Sequence, residues 1–278
     1  MKKQILLVVG GILLVCCLYF FGKTSIENKP VAPMETTIEK KFDVELFVQE
    51  AKDKLTNEQK ATLKSLEINS NPENYTSLTQ IANFWNDSAH DSKIYSFYIS
   101  KAAKLDNSEK SLTFAAQLFL ELLRGEQNSE MLEWESTEAI SLFEKAININ
   151  PNNEDLKIGL GSCYVFGKGR NGDPAQTMKG IQELLGVVRR DSTNMKAQLV
   201  LGIGGCISGQ YDKAIERLRK VTEKQPNNLE AIAFLADAYA AKGENAKAIE
   251  CYQLSKRLAN DAHYSKEVDQ RIQMLQKK

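Results

Sequence analysis

The spacing of hydrophobic positions takes three forms along the chain. From Ile5 to Phe21 it is continuous, behind a Met1-Lys2-Lys3 start. From Lys23 to about Lys41 it loses any period, and Pro30 and Pro33 interrupt a polar stretch. From Phe42 onward hydrophobic residues recur at intervals of three and four, beginning with Val44, Phe47, Val48, Ala51 and Leu55. That spacing paints one face of a helix. The pattern predicts an apolar segment of membrane-spanning length in residues 1–22, a linker over 23–41 and an all-α remainder. Thr56 and Gln59 have capping-box spacing. They predict a second short helix to about Ile68, so that 42–70 is a helical lead-in or a degenerate first repeat.

Further on, one unit is written twice. Lys213-Ala214-Ile215-Glu216 returns as Lys247-Ala248-Ile249-Glu250, and Gly209 returns as Gly243, both 34 residues later. Leu201-Gly202, Ala214, Leu218 and Pro226 mark the first copy; Leu235-Ala236, Tyr239, Ala248 and Tyr252 mark the second. A fixed period of this length points to stacked helix-turn-helix units. At these residues the chain resembles the tetratricopeptide repeat family. The resemblance implies a solenoid in which small residues let paired helices approach, large ones fill the space between them, and a proline ends the second helix.

Fainter copies precede these two. Leu78, Ile81, Ala82 and Trp85 pair with Tyr95, Ile99 and Ala102; Leu112, Ala116 and Phe119 with Ala139, Phe143 and Ala146; Leu160, Gly161 and Tyr164 with Gly180 and Leu184. The expected array is a solenoid over 71–262 of about five units, at 74–107, 108–153, 154–194, 195–228 and 229–262. Val268, Ile272 and Leu275 give residues 263–278 the single apolar face of a terminal capping helix. Two irregularities are expected. The stretch Arg124 to Ser136 reads as a long connection carrying Met131, Leu132 and Trp134, its tryptophan either folded onto the array or offered as a contact. Pro151 and Pro226 lie 75 residues apart, two periods and seven residues more, and the excess falls in the loop Gly167 to Asp173.

At the N-terminus, an uncleaved single-pass anchor competes with a cleaved signal peptide and with a lipoprotein signal at Cys16 or Cys17. The exit Tyr19-Phe20-Phe21-Gly22-Lys23 lacks a small-x-small site, which favours the anchor. Lys2 and Lys3 favour an inside N-terminus, placing the repeats outside the cytoplasm, on the periplasmic side of a bacterial inner membrane.

With 36 basic and 36 acidic residues the formal net charge is zero, which argues against a nucleic-acid partner. Two histidines, five cysteines and no CxxC leave no metal site to assemble. Cys163, Cys206 and Cys251 fall on helices of successive units, where small buried hydrophobes belong. Gly167-Lys168-Gly169-Arg170-Asn171-Gly172 spells GxGxxG, but a helix precedes it where a dinucleotide site needs a strand. Asp173 and Pro174 behind it read as the N-cap and first residue of a helix. The loop is then a solvated turn, or a basic contact through Lys168 and Arg170. No catalytic or cofactor-binding residue emerges.

The expected function is a non-enzymatic, membrane-tethered scaffold that holds a protein or peptide client in its concave groove, with residues 5–22 in the membrane. The layout resembles bacterial membrane-anchored repeat proteins that assist envelope assembly, cytochrome c maturation or protein export. The alternative is a homo-oligomeric spacer whose groove is self-occupied; the oligomeric state is open. The expected groove residues are Ile158, Ser162 and Val165, then Leu199, Ile203 and Cys206, then Phe234 and Asp237. Family members grip a C-terminal carboxylate with Lys, Arg and Asn; here Lys196 stands alone among Asp155, Glu230 and Asp237, so no such clamp is expected. The apolar slots either receive a client's Leu, Ile or Phe anchors or pack under the lead-in helix.

Overall fold

The computed structural model describes residues 42–68 and 74–277. The expected anchor at 1–22 and linker at 23–41 lie outside them. Lys41–Lys278 form one compact unit, and the described residues hold α-helices, one π-helical turn and no strand. None of these helices is long and apolar enough to cross a membrane.

The lead-in is α1 (Val44–Asp53) and α2 (Asn57–Ile68). The capping box forms between them: Thr56 N–H donates to Gln59 Oε1 at 2.9 Å, and Gln59 N–H to Thr56 Oγ1 at 3.2 Å. Five helix pairs come next. They are α3 (Tyr75–Asp87) with α4 (Ser92–Asp106), α5 (Glu109–Gly125) with α6 (Ser129–Ile149), α7 (Glu154–Cys163) with α8 (Pro174–Arg190), α9 (Met195–Ile207) with α10 (Tyr211–Lys224), and α11 (Leu229–Ala241) with α12 (Asn245–Ala259). The last element is α13 (Ala262–Gln276), which buries Val268 and Ile272 and keeps a polar outer face.

Each inner helix starts on a short polar side chain. Asn74, Ser108, Asn153, Asn194 and Asn228 each accept a hydrogen bond from a first-turn N–H of α3, α5, α7, α9 and α11. The repeated glycines do the opposite job. Gly209 (φ +72°) and Gly243 (φ +75°) take the left-handed conformation that ends α9 and α11. The next N–H then reaches back, from Gln210 to Gly205 O at 2.8 Å and from Glu244 to Tyr239 O at 2.9 Å. Two glycines 34 residues apart are thus two copies of one helix stop.

The second pair is larger than the regular ones. Its helices have 17 and 21 residues, against 13 and 14 in the fourth pair. The expected connection from Arg124 to Ser136 is therefore mostly helix; only residues 126–128 link α5 to α6. Met131, Leu132, Glu135 and Ala139 follow helical spacing and are buried along α6. Trp134 faces an aromatic cluster, its ring centroid 5.3 Å from Phe42, 5.4 Å from Phe119 and 6.4 Å from Phe97. The lead-in thereby docks on the first two pairs: Phe42 meets Trp134, and Gln59 Nε2 donates to Ser88 O at 2.6 Å.

Buried side chains form two clusters. One runs from the lead-in to Ile203 on α9, the other from Ala214 on α10 to Ile272 on α13; Leu199 and Phe234 touch both. They part where glycines replace side chains. A Cβ at Gly202 would lie 2.6 Å from Leu218 Cγ, so α9 presents bare backbone to α10.

Candidate functional site

In the third pair α7 does not stop at its usual length. It runs into a π-helical turn, Tyr164–Gly169, and then a short loop to Asp173. This is the predicted excess, and although Arg170 to Asp173 are exposed, its basic side chains are bound to the second pair. Arg170 reaches back to the C-terminus of α5, where Nη1 donates to Leu123 O at 2.5 Å and Nη2 to Glu126 O at 2.8 Å. Both carbonyls lack helical partners, so the guanidinium acts as their cap. Lys168 pairs with Glu133 on α6 and donates to Thr137 Oγ1 at 2.9 Å. The glycines fit this docking. A Cβ on Gly167 would lie 2.0 Å from Ser136 Oγ and 2.7 Å from Ser136 Cβ. One on Gly169 would lie 2.7 Å from Thr177 Oγ1, and Gly172 has φ +84°. Asp173 caps α8 by accepting from the N–H groups of Ala175 and Gln176, both at 3.0 Å, and Pro174 is its first residue. The insertion in the third pair thus clasps the extension in the second.

The clasp also reaches the first helices of the pairs. Arg124, on the last turn of α5, lies over the Phe166 ring at 4.7 Å and forms an ion pair with Glu230 on α11. The inner helices also pack on one another: α5 on α7 and on the π-helical turn, α7 on α9, and α9 on α11. In such a tight layer the slots expected to line a groove become core. Ile158 is 6 % exposed, Ser162 4 %, and Val165 and Ile203 0 %. Ile158, Val165 and Ile203 belong to the first hydrophobic cluster. As groove residues these four are corrected: their side chains are taken up within the chain. They do not owe this to the lead-in, as one expectation had it, since the lead-in meets α3, α4 and α6.

Leu199, Cys206, Phe234 and Asp237 stay half-buried on α9 and α11. Cys206 Sγ donates to Phe234 O at 3.7 Å, and burial, aided by Asp237, pushes its thiol up to about 12. Asp237 accepts from Tyr252 Oη at 2.5 Å and from Arg271 Nη1 at 2.8 Å, which ties α11 to α12 and α13. Leu199 and Phe234 therefore remain as the half-buried apolar groove candidates, each packed against both clusters. A second hollow lies at the other end, where a shallow cavity of about 300 Å³ runs between Thr62 and Leu66 of α2 and Gln80, Asn83, Phe84 and Asp87 of α3. Among the described residues no group of three metal-ligating side chains gathers. Cys163 is fully buried, and burial pushes its thiol far above the usual range.

The family profile of the tetratricopeptide repeat matches residues 207–266. Among solved structures, the chain is similar to a thermophilic TPR protein of Thermus thermophilus, with 15 % identity, 73 % of this chain and 98 % of that one covered, and a TM-score of 0.53. It is also similar to a tetratricopeptide repeat protein from Parabacteroides merdae (19 % identity, 81 % and 88 % covered, TM-score 0.49). A third is YrrB, described as a TPR protein with an unusual peptide-binding site (21 % identity, 74 % and 96 % covered, TM-score 0.43). No curated protein matches the chain. The profile places a tetratricopeptide repeat at residues 207–266, and the described residues as a whole form an all-α helical-repeat solenoid.

Proposed function

We propose that the chain is a non-enzymatic scaffold that binds a protein or peptide client on the strip formed by Leu199 and Phe234, and that residues 5–22 tether it to a membrane. The observation that supports this is the contrast within the concave face. Ile158, Ser162, Val165 and Ile203 are filled internally, while Leu199 and Phe234, each packed against both cores, keep accessible surface. Such a strip suits a helix or strand with one or two apolar anchors, each contributing about 1.5–3 kcal/mol when fully buried. Phe234→Asp in the full-length protein tests it. Capture of a crosslinked client from membranes should be lost while the melting temperature moves by only a few degrees. Unchanged capture would remove the strip as the binding surface.

The tether and its orientation rest on Lys2 and Lys3 ahead of the apolar run. On that reading a protease added to spheroplasts digests the repeats, consistent with a role in envelope assembly or export. Repeats that resist until the cells are lysed would place them in the cytoplasm and end that role. The accessible apolar surface of Leu199 and Phe234 also suits a second reading, a homo-oligomeric spacer with its groove self-occupied. Light scattering separates them: a monomer with a client supports the scaffold, a stable dimer without one the spacer.

A further inference from the structure

Glu135 is the chemical oddity of this molecule. It sits on α6, 0 % exposed, and neither carboxylate oxygen has a hydrogen-bond partner. Its neighbourhood is the root of the clasp. The charged groups facing it are Lys93 at the start of α4 and Glu126 in the turn between α5 and α6. Those two form an ion pair with each other. Glu126 Oε1 also accepts from the N–H groups of Gln127 at 2.8 Å and Asn128 at 2.7 Å, so its carboxylate shapes the turn. The same residue's carbonyl receives Arg170 from the loop of the third pair.

We propose that Glu135 is a proton-controlled catch: neutral, it lets the extended hairpin close and hold the loop of the third pair; ionised, it loosens that clasp. An ionised carboxylate without donors in a buried site is costly, whereas a protonated one is far less so. Ionisation also sets a second negative charge beside Glu126, and both then compete for Lys93. Lys93 is part of what holds Glu126, and Glu126 holds the turn that Arg170 grips. Loss of the first contact therefore propagates to the last through three residues in direct contact.

The direction of titration agrees. Burial pushes Glu135 up to about 7; Lys93 opposes the rise and Glu126 adds to it. Burial also raises Glu126, but hydrogen bonds from Lys93, Asn128 and Gln127 outweigh it and hold that carboxyl below its ordinary range. A folded-state value above the ordinary 4.5 means that Glu135's contribution to stability is complete below about 4.5 and is lost as pH rises through about 7.

The inference concerns the fold alone and does not depend on any client. It is tested by hydrogen exchange on the full-length chain at pH 6 and pH 8, each corrected for intrinsic exchange. Protection in peptides covering 120–137 and 164–173 should fall about tenfold at the higher pH, while that of 229–259 stays level. Glu135→Gln, which cannot ionise, should keep its protection at both. Equal protection of the wild type at both pH values, or the same fall in the variant, would overturn the proposal. Should the variant not fold, carbon-13 NMR of glutamate-labelled wild type decides. A side-chain carboxyl titrating near 7 supports the catch; none titrating above about 5.5 rejects it.

Discussion

The second and third helix pairs and the fourth and fifth use the same hairpin, yet they solve helix termination in opposite ways. In the regular half each inner helix stops on a left-handed glycine in open space, and the chain turns at once. In the irregular half α5 and α7 run past that point. The exposed carbonyls at the end of α5 are then capped by a side chain from the neighbouring unit, Arg170. The helix stops of the regular half are local in sequence, whereas the carbonyls that end α5 are capped by a side chain 44 to 47 residues away. A local stop makes each unit interchangeable. A borrowed cap welds two units into one, and here the weld carries Arg124 over the inner face.

The sharpest test of this contrast is Ile203→Asp. In a regular, open array that slot faces the groove and would tolerate a charge. Here it is fully buried, with tight inner-helix packing around it. Burying an unpaired carboxylate is expected to cost on the order of 4 kcal/mol or more. That corresponds to a fall in melting temperature of about 10 °C for a domain of this size. A shift under about 2 °C by calorimetry would show that the slot is open and that the clasp does not close this face.

Next in size are two glycines that look alike in sequence. Gly167→Ala drives a Cβ to 2.7 Å from Ser136 Cβ, a clash that no rotation of the serine relieves. Overpacking of this kind costs about 1–3 kcal/mol. Gly209→Ala meets nothing within 4 Å but must adopt φ +72°, which costs about 1–2 kcal/mol. The two are told apart by a second substitution: Ser136→Gly should restore part of the stability lost in Gly167→Ala and none of that lost in Gly209→Ala. Urea midpoints measure both. Equal response of the two variants would dissolve the distinction between a packing glycine and a turn glycine.

Much of the regular half was legible because its determinants are local. The period of Gly209 and Gly243 states a helix end within a few residues, as Thr56 with Gln59 does in the lead-in and Asp173-Pro174 does at the one local signal of the third pair. The irregular half was legible only as excess length. Met131, Leu132, Glu135 and Ala139 continue the helical spacing of α6, with Asn128 as its N-cap, so the hairpin extension does carry a local signal. The function of Gly167, Lys168 and Arg170 had none, since their partners lie on α5 and α6 and nothing in a single sequence pairs them. The burial of Ile158, Val165 and Ile203 was hidden for the same reason. Apolar residues at inner-helix slots read alike whether a client or a neighbouring helix covers them.

The smallest effect tests the longest reach. Arg124 and Glu230 are separated by 106 residues, from the end of α5 to the start of α11, and their side chains are 38 % and 32 % exposed. At that exposure water and salt screen the pair, so the coupling should be about 0.5–1 kcal/mol. Arg124 also contributes its stacking on Phe166, so Arg124→Ala should cost somewhat more than Glu230→Ala. A double-mutant cycle isolates the ion pair from the stacking, because the latter is lost in every variant lacking Arg124. The coupling should shrink as ionic strength rises from about 0.05 to about 0.5 M, over which the screening length falls from about 14 to about 4 Å, while the stacking contribution stays. A cycle energy indistinguishable from zero at low salt would mean that the second and fifth pairs are not tied across the inner face. The closure would then rest on the packing of neighbouring inner helices alone.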